Sequence, residues 1–128
     1  MGLFRTARQK HLDEKTLVTQ KKIWDLEFLL EKMGAMREGF RVEFDRLQEQ
    51  VDAANLRLDE ENKKEDPDAT IRKNLTNLIE RYTPDIEQLK KQIEGVDSQI
   101  HGPDGIEENI EGLHTVIGML REHRKKVK

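Results

Sequence analysis

Residues 23–58 read IWDLEFLLEKMGAMREGFRVEFDRLQEQVDAANLRL, and their apolar positions keep one phase throughout. Leu26, Met33, Phe40, Leu47 and Ala54 fall seven residues apart, and Ile23, Leu30, Arg37, Phe44, Val51 and Leu58 form a second series at the same spacing. Interleaved, the two series make an a/d heptad seam in which Arg37 is the single non-apolar member. A helix with such a seam buries one narrow stripe against another helix. The stretch predicts an all-α fold built on long coiled-coil helices.

Working outward, the first helix begins between Thr6 and Asp13 and ends near Asn62. Gly34 and Gly39 lie inside it, each costing about 1 kcal/mol relative to alanine, yet the heptad phase continues through both. One continuous helix is expected. Polar residues 60–68 form the first reversal, where Asp66 is placed to cap and Pro67 to occupy the first helical position. A second helix follows to Ile100, with a seam of Ile71, Leu75, Leu78, Tyr82, Ile86, Leu89, Ile93, Val96 and Ile100. Its spacing slips once, between Tyr82 and Ile86, where Pro84 also sits. A stutter unwinds a supercoil locally and a proline bends or breaks a helix, so a kink is expected, with a full break as the alternative. His101-Gly-Pro-Asp-Gly105 ends that helix, with Gly102 suited to a left-handed residue and Asp104 with Glu107 to a capping box. The third helix carries Ile106, Ile110, Leu113, Ile117, Leu120, Arg124 and Val127 at heptad spacing.

The organisation predicted is a basic N-terminal arm, 1–12, and an elongated helical bundle, 13–128, with helices over about 13–62, 67–100 and 105–127. At 1.5 Å per residue the first helix spans about 75 Å and the second about 50 Å. The second then covers the first only to near residue 30, and the third helix is expected to return toward the first reversal as part of an antiparallel three-helix bundle. Residues before about 30 project, and there the chain is apolar on two faces. Leu17, Trp24, Phe28, Ala35 and Val42 form a stripe away from the seam, with Leu29 beside it. A helix apolar on two faces needs two covers. The alternative cover is the third helix or the first residues folding over this stretch.

Composition bounds the rest. The 128 residues are 34% hydrophobic and 38% charged, which suits helices that each bury only a stripe. Sustained heptads argue against disorder. The chain contains no cysteine, which removes disulfides, thiolate catalysis and cysteine zinc sites, and fits an intracellular setting or the inside of a virus or phage particle. It shows no secretory signal core and no run of about 18 apolar residues. The net charge of −3 conceals segregation, because residues 1–22 and 121–128 are each +4 and residues 23–120 are −11. Basic tips at Arg5, Arg8, Lys10, Arg121, Arg124, Lys125, Lys126 and Lys128 suit phosphate or acidic surfaces, and solvated helix ends are the plainer reading.

Chemistry-bearing patterns are weak. Glu111 and His114 give one Glu-x-x-His, whereas di-iron bundles need two copies and two further glutamates; no metal or other cofactor is expected. Ser98 is the single serine and lies in a helix with no nucleophile elbow. No glycine-rich phosphate loop is present, and thin bundles rarely form the deep apolar pocket that perturbs a carboxylate. An enzyme acting on a small-molecule substrate is not expected. The opening Met-Gly-Leu-Phe-Arg-Thr fits the loose myristoylation pattern at Gly2. The basic clusters carry no interleaved aromatics, so base stacking is not indicated.

The sequence therefore predicts a non-enzymatic structural or scaffolding protein that assembles with copies of itself or with a larger partner through residues 17–42. The rival is a peripheral adaptor that meets a membrane or nucleic acid through its basic ends.

Overall fold

The computed structural model describes residues 6–127. Three helices follow in order: α1, Ala7–Asn62; α2, Ala69–His101; and α3, Ile106–Lys126. No strand occurs among the described residues. The chain is an all-α bundle of paired helices, as its heptads predict. α1 is continuous through Gly34 and Gly39, so the packing along a helix of about 16 turns outweighs two glycine penalties. α2 is likewise continuous through Pro84, which excludes the break. In that turn the Thr83 hydroxyl donates to the Ile79 carbonyl at 2.7 Å.

α1 starts earlier than position 13 because Thr6 and Gln9 cap it reciprocally. The Gln9 N–H donates to Thr6 Oγ1 at 3.1 Å and the Thr6 N–H to Gln9 Oε1 at 3.0 Å, the two halves of a capping box. The residues expected to be a separate arm therefore belong, from Ala7 on, to the helix.

The first reversal is organised by two carboxylates, neither of them the Asp66 that the sequence suggested. Asp68, not Asp66, caps α2, its Oδ1 accepting from the N–H groups of Thr70 and Ile71 at 2.8 and 3.1 Å. Pro67 accordingly lies outside the helix. Glu61 continues the heptad series of α1 and is buried, at 5% exposure. It accepts from the Asp68 N–H and from Lys64 Nζ, each at 2.8 Å. Those bonds, Lys64 first, hold its carboxyl below the ordinary value of 4.5.

The step from α2 to α3 also departs from the expected signals. Asp104, at φ 58°, is the left-handed residue, and no described glycine has positive φ. Gly102 is required by close approach instead: a Cβ there would stand 2.4 Å from the Ser98 carbonyl oxygen. Gly105 is the N-cap of α3 without a side-chain cap bond. Glu108 rather than Glu107 reaches back, to the Asp104 N–H at 3.2 Å, and Glu107 pairs with His101 Nδ1 at 2.8 Å.

The helices pack as two compact units, one of residues Ala35–Val96 and the other of the residues up to Gly34 with those from Asp97 on. In the first, the α1–α2 unit, Leu47, Val51 and Ile86 form a buried cluster against Phe44, Ile79, Tyr82 and Leu89. In the second, the α1–α3 unit, the buried apolar residues are Ile23, Ile100, Ile106 and Ile117. Here the third helix packs back on the first, but along its N-terminal part and not toward the first reversal. Gln9 Nε2 donates to the Val127 carbonyl at 3.1 Å, and Arg124 Nε lies 3.1 Å from Asp13 Oδ1. The reason lies in the seam, which does not stop at Ile23 but continues through Thr19, Thr16 and Leu12. The two threonines donate their hydroxyls to Lys15 and Leu12 carbonyls one turn back, at 2.8 and 2.9 Å. With the hydroxyl satisfied, the methyl packs, and Thr19 is 9% exposed.

Candidate functional surface

α3 covers one of the two apolar faces of the first part of α1. Ile23 is fully buried, at 0% exposure, and Leu26 and Leu30 are half-buried. The other face stays open. Trp24 is 55% exposed and Phe28 60%, with Leu17 exposed one heptad before Trp24. The reason is rotational: at about 100° per residue, Trp24 and Phe28 point well away from the Ile23–Leu26 stripe that meets α3. Lys32 Nζ lies over the Phe28 ring at 4.7 Å from its centroid, a contact that leaves the ring's other face to solvent. The alternative in which the third helix covers this stretch therefore holds for the seam and not for the aromatic stripe.

The remaining residues of the predicted surface separate. Leu29 belongs to another face of α1 and lines a cleft with Met33, Pro103 and Ile106 at the start of α3. Ala35 and Val42 are exposed on α1 within the α1–α2 unit.

The basic tips come together. Because α3 runs antiparallel to the first part of α1, its C-terminal Arg121, Lys125 and Lys126 share one end of the unit with Arg8 and Lys10, and all five are exposed. Arg124 is half-buried on Asp13 and Lys125 pairs with Glu122 at 3.4 Å. Arg5, Lys128 and the Gly2 lipidation pattern lie outside the described residues. The sequence showed two separate basic segments; only their antiparallel pairing makes them one.

Charge is also graded along this unit. Residues 24–31 and 104–111 hold seven acidic side chains and no basic one. Residues 6–22 and 115–127 hold nine basic and three acidic. Trp24 and Phe28 thus lie in an acidic stretch of α1, apart from Lys32 over the Phe28 ring, and a groove between α1 and α3 lined by Val18, Val116, Lys15 and Lys22 lies in the basic stretch.

No group of three or more histidine and carboxylate side chains able to hold a metal ion occurs among the described residues, and Glu111 and His114 are both exposed. No helix among them is long and apolar enough to cross a membrane. Comparison with family models, curated proteins and solved structures finds no match to this chain.

Proposed function

We propose that the protein is a non-enzymatic assembly component, a helical scaffold that docks through the outer face of α1 around Leu17, Trp24 and Phe28. Ala35 and Val42 extend the same helix's apolar positions in the other unit. One observation carries the reading: after α3 has buried the seam, the largest apolar side chain of the unit, Trp24, is still 55% exposed, with Phe28 one turn on at 60%. Aromatic side chains bury 150–250 Å² each at interfaces and dominate their energetics. The partner is a further copy of the chain or a larger protein assembly, in the cytoplasm or in a virus or phage particle. Replacing Trp24 and Phe28 together by alanine tests the reading. Assembly is lost while helicity and melting temperature stay near those of the parent. A lower melting temperature with unchanged assembly overturns it.

The convergence of the basic tips favours a second reading, in which Arg8, Lys10, Arg121, Lys125 and Lys126 form one phosphate-binding end for a membrane or nucleic acid. Salt separates the two, since phosphate contacts weaken steeply with ionic strength and apolar helix packing does not.

A further inference from the structure

The aromatic stripe and the basic groove of the α1–α3 unit differ in a way that makes each a fit for the other. On α1, Glu27 and Glu31 stand one turn beyond Trp24 and Phe28, with Asp25 between the two aromatics in the sequence. Lys21 lies one turn before Trp24, and Lys32 lies over the Phe28 ring. The groove is the reverse case. Val18, Val116 and Leu120 form its apolar lining, Lys15 and Lys22 flank it, and Glu14 is the one acid along it. Val18 is 53% exposed and Val116 42%, so the groove presents open apolar surface between cations. One chain therefore carries an apolar ridge with Glu27 and Glu31 along one side, and an apolar groove flanked by Lys15 and Lys22.

We propose that the occupant of this groove is a second copy of the chain, whose Trp24 and Phe28 enter between α1 and α3 while Glu27 and Glu31 meet Lys22 and Lys15. The inference rests on the assembly reading above and goes further, since it names the receptor surface and makes self-association electrostatically selective. Apolar contact supplies the affinity, and the charge borders fix which surface meets which. Like-signed surfaces, groove on groove or ridge on ridge, are disfavoured by repulsion.

The test uses the full chain and exposed residues only, because Lys15, Lys22, Glu27 and Glu31 are all exposed and their replacement leaves the seam intact. Three variants are compared with the parent by sedimentation equilibrium: Lys15→Glu with Lys22→Glu, Glu27→Lys with Glu31→Lys, and the four changes combined. Each double variant associates about tenfold or more weakly, the scale expected for reversing close charge pairs. The fourfold variant, in which both borders have exchanged sign, recovers association, and so does an equimolar mixture of the two double variants. Circular dichroism melts confirm that every variant is folded. A parent that stays monomeric at high micromolar concentration overturns the inference while leaving docking to a different protein intact. Double variants that associate like the parent, or a fourfold variant that does not recover, also overturn it. If Trp24→Ala with Phe28→Ala abolishes association in that case, the aromatic surface stands and only its receptor is wrong; if it does not, both readings fail. Loss of binding to phosphatidylserine vesicles by the Lys15→Glu, Lys22→Glu variant, with its self-association unchanged, assigns the groove to lipid and overturns the second-copy occupant.

Discussion

The two units use the same α1 helix and the same kind of seam, yet they place their aromatic residues oppositely. In the α1–α2 unit Phe40, Phe44 and Tyr82 are half-buried in the seam, with Phe44 and Tyr82 against Leu47, Val51 and Ile86. In the α1–α3 unit Trp24 and Phe28 lie outside the seam and exposed, and isoleucines and threonine fill the interior. Charges follow the same division. Arg41 pairs with Glu38 and Asp45, and Arg46 with Glu43, within one turn of α1, so opposite signs alternate there. In the α1–α3 unit the signs are separated along the helices. The α1–α2 unit keeps its aromatic side chains in the seam, although Met36, Val42 and Leu56 are exposed, and the α1–α3 unit holds Trp24 and Phe28 on its surface.

Mutations sharpen that contrast. Leu47→Ala, in the tight cluster of the α1–α2 unit, is expected to cost about 2–5 kcal/mol of stability, read as a lower melting temperature, with no change in association beyond that caused by unfolding. A Leu47→Ala protein that loses assembly while still fully folded would erase the distinction between the units. Pro84→Ala restores a backbone donor in the interior of α2 and is expected to stabilise, by at most about 3 kcal/mol. A denaturant melt checks it, and a lower midpoint would mean that the proline serves the packing of Tyr82 and Ile86. Thr6→Ala removes one half of the capping box and should cost about 1 kcal/mol, felt as fraying at the start of α1 in hydrogen exchange, with Leu47 and its neighbours unaffected.

The smallest effect is a pH effect at the first reversal. Glu61 has its carboxyl held below the ordinary value of 4.5, first by Lys64 and then by the Asp68 N–H. The unfolded chain therefore takes up that proton before the folded one does. The contribution is present in full above about 4.5 and disappears as the pH falls below it through the lowered folded value. Glu61→Gln should flatten that part of the stability profile measured by urea melts between neutral and acid pH. An unchanged slope would show that the glutamate's bonds are not maintained in solution.

The seam residues of all three helices were legible from spacing alone, because a heptad fixes which side of a helix meets a partner whatever the partner is. Helix ends were less so. Asp66 precedes a proline suited to the first helical position, yet the cap is Asp68, whose N–H is also held by Glu61. The placement of α3 was missed because Thr16 and Thr19 look polar in a list of residues, although their hydroxyls bond their own helix and leave methyls to pack. Lengths held a hint: α2 and α3, of 33 and 21 residues, nearly match the 56 of α1, enough for each part of it to have its own partner. The exposed aromatic stripe was readable, since two apolar faces cannot both meet one helix. The basic end and the basic groove were not, because they exist only once α3 lies antiparallel to the start of α1.

Trp24 is the single tryptophan of the chain, so its fluorescence reports the proposed docking face with no interfering signal. Emission and acrylamide quenching should be followed across a concentration series, with sedimentation velocity on the same samples. In the dilute monomer Trp24 is expected to be solvent-exposed and readily quenched. Its emission should shift to the blue and its quenching fall over the same concentrations at which the sedimenting mass rises, or on addition of the cognate assembly. A tryptophan already shielded in the monomer, or one still freely quenched in the assembled form, would contradict it.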